Sequence, residues 1–490
     1  MYAALRLRKG IALKNAAKFR RGKKKEEQKS VRELALDSLM KITDEGAFSS
    51  SVIAAVYAQN GALSDRDRAL YVKLVEGTLD HLLLIDCLLD QVSSSPVEKM
   101  RPVMRALLRM SAYQILFLDR VPDHAAVSEA MNIAEKKHFG SLKSFVNGVL
   151  HGLIRQRDAD GFSLPQRDEN PIWYLSLTYS CPEWIVRMWT ARFGTDETEE
   201  MLKNFRADQE LCLWVNPKEA LPEELIDYFK ENGIEVRQHP QLSDVLLCSG
   251  LTRIGEDDAF LHGAYYVQDF SSILACLPAL CVLKEKDAAS EKPLRIIDVC
   301  GAPGGKSLYL AAHLSERTKI SCRDVSERKT ALITQNADRL ALSNVEAKVQ
   351  DVRTLCEADI GTADLVIADL PCSGLGVIGR KADLRYRVKE SDIDALSTLQ
   401  RQILSAAQQY VKPGGYLIYS TCTISEKENE DQVRWILENL PFDAAPLTGL
   451  PEEIAAASRT PAEGYLQILP SGEPQRDGFF MAMFRKKEGS

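Results

Sequence analysis

The sequence predicts an α/β protein: a doubly wound, mainly parallel sheet in the C-terminal half, preceded by an all-helical unit and a small α+β unit. Three observations carry this. Five short apolar runs, at 294–300, 319–325, 345–351, 363–369 and 414–420, alternate with helical stretches, as strands buried on both faces do. Residues 31–156 read as helices throughout. The run from Ile296 to Ser307 is an apolar strand that breaks into a glycine-rich turn and opens a helix at Leu308–Leu314.

Taken in order, residues 1–30 hold eleven Lys or Arg against two Glu, a net of +9 that leaves −16 for the rest of a chain totalling −7. They read as a flexible basic tail able to grip phosphates without reading sequence. A solvated tail, an upstream start codon and a transit peptide (no acid precedes Glu26) stay open as alternatives. In the helical unit, 31–156, apolar residues recur at helical spacing in Val31–Leu39 and Ala69–Leu84. Met104–Leu118 is a helix with a proline-marked stop at Pro122, and Phe145–Leu150 begins the last helix. Residues 157–171 form a linker by their Asp, Gly and Pro content. In the small α+β unit, 172–285, a helix starts at Cys181–Ile185 and a strand is expected at Leu211–Asn216. Trp184 and Trp214 read as core residues, with stacking on nucleic-acid bases as the alternative. The doubly wound unit occupies 286–490, and Gly464–Pro470 and Gly478–Arg485 complete its sheet.

Composition sets bounds. A chain of 490 residues exceeds one core, and 27% charged with 45% hydrophobic residues indicates a soluble globular protein. No apolar run approaches the ~20 residues of a membrane span. Eleven cysteines without metal-type spacing and seven dispersed histidines point to free thiols, no metal and a reducing, cytoplasmic setting.

The turn Cys300-Gly301-Ala302-Pro303-Gly304-Gly305-Lys306-Ser307 is not a P-loop, because Cys300 stands where the first glycine must be. Its glycines also miss the G-x-G-x-x-G spacing of a dinucleotide site. What remains is a nucleoside-type cofactor loop on a Rossmann-like unit. Two later strands end in Asp369-Leu370-Pro371-Cys372-Ser373-Gly374 and Ser420-Thr421-Cys422-Thr423. Ligands bind beyond the carboxyl ends of parallel strands, so Gly301, Asp369, Cys372 and Cys422 are expected on one rim.

That set suits methylation of cytosine at C5. A thiolate added to C6 makes C5 nucleophilic toward the methyl of S-adenosylmethionine, an acid near N3 steadies the electron-rich ring, and loss of the C5 proton lets the thiolate leave. A thiol near pKa ~8.5 needs activation at neutral pH, for which Lys306 is a candidate cation. The second cysteine could assist product release. Chemistry alone does not choose between Cys372 and Cys422.

These motifs resemble those of the RNA 5-methylcytosine methyltransferases. The resemblance implies that Cys422 is the nucleophile, that Cys372 assists release and that Asp369 meets the cytosine ring. It implies cofactor contacts from Cys300, Gly301, Ala302, Pro303, Gly304, Gly305 and Lys306, from Asp324 at the ribose, from Asp351 near the adenine, and from Asp369. In the helical unit, Ala112-Tyr113-Gln114-Ile115-Leu116-Phe117-Leu118 and Val146-Asn147-Gly148-Val149-Leu150 resemble the NusB-type RNA-binding domain. The combination resembles the Fmu/RsmB (Sun) family, which implies an RRM-like RNA-binding fold for the small unit, an antiparallel last strand, and 16S rRNA as partner with cytosine 967 as target. It also leads us to expect a monomer without membrane or metal partners.

The sequence departs from the family in places. Phe270 in Gln268-Asp269-Phe270-Ser271-Ser272 stands where Glu is usual, and Cys300-Gly301-Ala302 replaces Cys-Ala-Ala. Gly379-Arg380-Lys381-Ala382-Asp383 keeps one Arg and the Asp of Arg-Arg-His-Pro-Asp, in a loop expected to contact RNA. The competing readings are a P-loop ATPase, a non-catalytic RNA-binding assembly factor, and a tRNA or DNA cytosine methyltransferase. Cys300 argues against the first and the presence of both cysteines against the second, while the helical unit favours ribosomal RNA over the third.

Overall fold

The computed structural model describes residues 29–61, 63–207, 210–456, 463–472 and 475–489, so the basic tail expected at 1–30 lies almost wholly outside the described residues. The first unit comprises the helices Val31–Thr43, Ser49–Gln59, Asp65–Asp80, Leu82–Val92, Pro102–Phe117, Asp123–Lys136 and Lys143–Asp158. Ser30 and Glu33 form a reciprocal capping box that starts the first of them. Helix Pro102–Phe117 is the hub, with Leu107, Leu108 and Ala112 fully buried among the others. The run 69–84 belongs to two helices rather than one, with the break at His81, whose ring nitrogen sits 2.9 Å from the Gly77 carbonyl. The last helix runs to Asp158, past the expected boundary at 156.

Three further helices, Pro171–Tyr179, Glu183–Phe193 and Thr195–Asn204, share a core with Leu375, Ile378 and Ile424 of the large unit. Trp189 is buried there and donates its indole N–H to Ile424 O at 3.0 Å. The small sheet follows: β1 (Leu211–Val215), β2 (Glu235–His239), β3 (Leu242–Ser249) and β4 (Tyr265–Val267), antiparallel in the order β2-β3-β1-β4. Helix Pro222–Glu231 covers one face through Leu225 and Phe229. The other face, carrying Cys212, Trp214, Val245 and Tyr266, joins the core of the large unit. Trp214 is fully buried against Tyr266 and Tyr309, as a core residue should be. Because both faces are covered, base stacking on this sheet in the RRM manner is ruled out, and any RNA contact by this unit falls to its edges and loops.

Helix Leu277–Ala289 spans the expected boundary at 285, and its Ala279 and Leu283 share a core with Ile296 and Ile320 of the main sheet. That sheet contains β5 (Arg295–Asp298), β6 (Lys319–Asp324), β7 (Val345–Val349), β8 (Ala363–Asp369), β9 (Val411–Thr421), β10 (Phe442–Ala444) and β11 (Tyr465–Ile468). After a separate hairpin of β12 (Ser471–Gly472) and β13 (Gln475–Arg476), β14 (Phe479–Lys486) closes it. The order is β10-β14-β9-β8-β5-β6-β7, with β11 also on β14. Strands β5 to β9 are parallel to their neighbours, and β14 is antiparallel to β9, as the resemblance implied. β10 escaped the sequence reading. Chain order reverses at β5, between β6 and β8, which opens a crevice at the carboxyl end of β5.

The loop after β8, expected to contact RNA, forms the joint between the large and helical units. Asp383 caps helix Ser49–Gln59 across the boundary, accepting from Ser49 Oγ at 2.6 Å and Ser49 N at 3.3 Å. The Tyr386 hydroxyl lies 2.7 Å from Leu79 O and 2.8 Å from Ser180 O. Arg385, only 3% exposed, donates to Asp80 at 2.9 Å and to the carbonyls of Tyr179 and Ile378. Hydrogen bonds to a charged group are worth about 1.5–3 kcal/mol, and a carboxylate left unpaired adds to the loss. Arg385→Ala is therefore expected to destabilise the docked arrangement by about 2–3 kcal/mol. Limited proteolysis and thermal melting would register it as faster cleavage within 379–388 and a lower first transition, whereas the exposed Lys381→Ala should leave both unchanged.

Candidate active site

The cofactor loop leaves β5 at Asp298, which is buried and accepts from Ser307 Oγ at 2.8 Å. Burial pushes its carboxyl up to about 7. Its other oxygen, Oδ1, has no hydrogen-bond partner in the protein. Gly301 donates its N–H to Arg323 O at 2.8 Å, and a Cβ there would run into Cys322 Sγ and sit 2.7 Å from the Asp298 carboxyl. The replacement of the family's alanine by Gly301 thus matches the sulfur at 322. Gly304, at φ +113°, takes a backbone conformation that other residues rarely adopt and starts helix Gly305–His313.

Lys306, in the first turn of that helix, is 6% exposed. Its ammonium donates to Asp369 Oδ2 at 2.6 Å and to Ser272 Oγ at 3.1 Å, and lies 5.1 Å from the centre of the Phe479 ring. Burial opposes its charge, but Asp369 and the neighbouring acidic groups outweigh this and hold it above the usual lysine range. Asp369, at the end of β8, also accepts from Ser420 Oγ at 2.7 Å, which ties it to β9. A cavity of about 140 Å³ lies against these groups, lined by Gly301, Ala302, Pro303, Gly305, Lys306 and Asp369 together with Gln268, Ser272 and Asp298. Cys300 and Gly304 belong to the same turn but not to the cavity wall.

The two expected cysteines meet: Cys372 Sγ and Cys422 Sγ are 3.4 Å apart, both as free thiols. Their surroundings differ. The contact with Cys372 draws the Cys422 thiol below its ordinary value, against burial and Asp369 and with help from Lys381 and Lys306. Cys372 is pushed well up by that same contact, by burial and by Glu428.

Two adjacent buried residues hold the cysteine loops. Glu428 accepts from Ser373 N at 2.8 Å and Ser373 Oγ at 2.6 Å, and that hydroxyl lies 2.6 Å from Thr423 Oγ1. Asn429 accepts from Thr421 Oγ1 at 2.6 Å and donates to Thr423 O at 3.0 Å, gripping the chain on both sides of Cys422. The sequence reading passed over Glu428 and Asn429, which sit in the charged run Ser425–Asp431 and look like a solvated face. Gln268 and Ser272 were noted only as part of a family motif. Gln268 bridges Trp214 Nε1 to Ser272, which in turn meets Lys306. Phe270 of that motif stacks on His239 at 3.8 Å in the core, where a carboxylate would be costly.

The two remaining acids part company. Asp324, at the end of β6, is largely buried and accepts from Ser326 N at 3.0 Å, with Lys329 Nζ 3.8 Å away. Asp351 is paired with Arg353 at 2.7 Å and lines a different, open cleft with Lys348 and Leu355. The hydrogen bonds from Arg353 hold its carboxyl below the usual carboxylate range. Among the described residues no group of three or more His, Cys, Asp or Glu is positioned to hold a metal ion, and no helix is long and apolar enough to cross a membrane.

Each of the three units has relatives among known proteins. Residues 283–485 match the 16S rRNA methyltransferase RsmB/F family, 29–155 the NusB family, and 181–252 the ferredoxin-like domain of RsmF/B-like methyltransferases. The chain is 34% identical over 465 residues to the probable ribosomal RNA small subunit methyltransferase B of Bacillus subtilis, covering 94% of this chain and 99% of that one. It is 30% identical to the protein of the same name from Synechocystis, covering 93% and 99%. The crystal structure of PH0851 superposes with a TM-score of 0.76 at 25% identity, covering 92% of this chain and 98% of that one. A methyltransferase homolog protein from Pyrococcus horikoshii shares the fold over 64% of this chain and 99% of its own, with a TM-score of 0.52 and 23% identity. With helical, ferredoxin-like and catalytic units all matched in order, the chain belongs to the RsmB/F family of 16S rRNA methyltransferases.

Proposed function

We propose that the protein transfers a methyl group from S-adenosylmethionine to C5 of a cytosine in 16S rRNA, through a covalent adduct between Cys422 and C6 of the base. Cytosine 967 is the target that the family resemblance favours. The observation that carries the reading is the pair of thiols 3.4 Å apart beside the Lys306–Asp369 ion pair.

The residues present suit the cofactor. Asp298 offers an unused, buried carboxylate oxygen, and the glycine turn leaves a small cavity beside it that Lys306 and Asp369 also line. Asp298, Gly301, Gly305 and Lys306 would hold the cofactor's polar end, with Asp324 at the ribose. When bound, S-adenosylmethionine supplies an electrophilic methyl group. Cys422, as thiolate, forms the C6–S bond and sends its electron pair into the ring, which makes C5 nucleophilic. Asp369, held by Lys306 and Ser420, is the acidic group for the N3 side of the ring. After C5 loses its proton, the C6–S bond breaks and the electrons return to Cys422. Cys372, 3.4 Å from that sulfur, assists this release by donating its thiol proton in a hydrogen bond to the departing thiolate.

Bisulfite sequencing of 16S rRNA tests the reading. Cells lacking the gene should lose one methylated cytosine, the wild-type gene should restore it, and Cys422→Ala should not, although the variant still binds cofactor. Retained methylation in that variant would sink the nucleophile assignment. Cys372→Ala should methylate but accumulate a covalent RNA–protein band on a denaturing gel. Lost turnover with no band would remove its release role.

The thiols should also titrate apart. A thiolate forms as pH rises through its pKa, so Cys422, drawn down by Cys372, should react with iodoacetamide at lower pH than Cys372. Cys372→Ala removes that contact and should shift the Cys422 labelling curve to higher pH, as followed by peptide mass mapping.

For the two acids, calorimetry with S-adenosylmethionine should separate roles. Asp324→Ala is expected to weaken binding by about 1.5–3 kcal/mol, the scale of hydrogen bonds to a charged group. Asp351→Ala should cost less, because its carboxylate is already engaged by Arg353. Unchanged affinity in Asp324→Ala would take that residue out of the site.

A further inference from the structure

Cys372 and Ser373 also line a second cleft, of about 520 Å³, that the chemistry above does not use. Its walls come from both halves of the molecule: Phe48 from the helical unit, Leu384 and Arg387 from the loop joining the units, and Leu396 and Leu399 from helix Glu390–Ala407.

Phe48 is anomalous. It is 51% exposed, so it is not a core residue. It occupies the N-cap of helix Ser49–Gln59 yet makes no capping hydrogen bond, and Asp383 from the other unit takes over that task. Ser, Thr, Asp or Asn would be favoured at such a position. The Arg387 guanidinium lies over the ring, 3.8 Å from its centre. An exposed aromatic ring bearing a planar guanidinium, above aliphatic side chains, is a stacking surface for a flat heterocycle.

The location indicates which heterocycle. A cytosine that leaves its stack to reach Cys422 pulls its neighbours out of register, and each unstacked base needs a new π-face. The cleft shares Cys372 with the reacting pair, so the ring available there belongs to the same RNA strand as the target. We propose that the Phe48–Arg387 cleft is a nucleobase subsite for a nucleotide flanking the target cytosine, through which the helical and catalytic units bind one strand jointly. This rests on the reading of the protein as an RNA cytosine methyltransferase.

The test uses the full chain and a 16S rRNA oligonucleotide that contains the target cytosine, with 2-aminopurine at each flanking position in turn. At one position, binding to the wild type should change the fluorescence. Phe48→Leu keeps the apolar bulk but loses the π-face. It should abolish that change and raise the Kd for RNA by about 5- to 100-fold, the scale of one lost stacking contact. Its S-adenosylmethionine affinity and melting temperature should match the wild type. Phe48→Trp restores a π-face and should restore both the signal and the affinity. Wild-type RNA affinity in Phe48→Leu, with no responsive flanking position, would overturn the subsite. So would an affinity loss that Phe48→Trp fails to rescue, since that marks a structural role. Methyl transfer by the wild type to the same oligonucleotide is scored separately. Its absence would overturn the catalytic reading, whereas intact transfer with a silent Phe48 overturns the subsite alone.

Discussion

The buried ion pair between Lys306 and Asp369 ties together the parts of the active site that come from distant stretches of sequence. Lys306 belongs to the helix that follows the cofactor loop, Asp369 to the end of β8, Ser420 to β9 and Ser272 to the short helix after the small sheet; all four meet through bonds of 2.6 to 3.1 Å. A buried ammonium without a partner would shed its proton, and a carboxylate beside it prevents that. The pair also shapes the nucleophile. Asp369 raises the Cys422 thiol and Lys306 lowers it, so the two charges act against each other at the sulfur. With those influences opposed, the neighbouring thiol Cys372 becomes the largest influence on Cys422.

That makes the separation of the two sulfurs a critical dimension, and it is set by neither cysteine. Glu428 and Asn429 are consecutive, fully buried, and each grips one of the two loops. The Ser373–Thr423 hydroxyl contact at 2.6 Å closes the bracket between them. The environment then makes the thiols unequal. Cys372 faces the acidic Glu428, which disfavours its thiolate, while Lys381 and Lys306 lie on the side of Cys422. Two residues with the same chemistry are shifted in opposite directions by what surrounds them.

Much of this was legible in the sequence because it rests on local pattern. The apolar runs located β5 to β9 to within a few residues, most directly at β8, where burial on both faces leaves a nearly continuous apolar run, and least directly at the half-exposed edge strand β7. The order of the motifs placed Asp369, Cys372 and Cys422 on one rim before any distance was known. What stayed hidden depends on long-range partners. Helix Leu277–Ala289 looks like part of the preceding unit until its packing on β5 is seen. Asp324 and Asp351 are indistinguishable as acids after strands, and only the Arg353 pairing and the separate cleft set them apart. Glu428 lies in a run of charged residues whose burial no periodicity reveals.

The loop after β8 is the sharpest such case, and it explains how the domains depend on one another. Its sequence reads as a loop that contacts RNA and nothing in it signals a contact between units, yet Asp383, Arg385 and Tyr386 bind Ser49, Asp80 and Leu79, some three hundred residues earlier in the chain. Arg380, at the start of the same loop, pairs with Asp477 at 2.8 Å and Asp269 at 3.3 Å, and so anchors it to the last strand and to the motif before the catalytic unit. Lys381 stands between these two anchors and is the cation that acts on Cys422 from outside the cofactor loop. Its side chain is exposed, and the backbone on either side of it is held. One of those sides is held by the helical unit. The loop that carries Lys381 is therefore held in part by a unit that contributes no group to the bond-making step. This gives a physical reason for the two units to work as one body rather than as an RNA-binding attachment beside an independent enzyme.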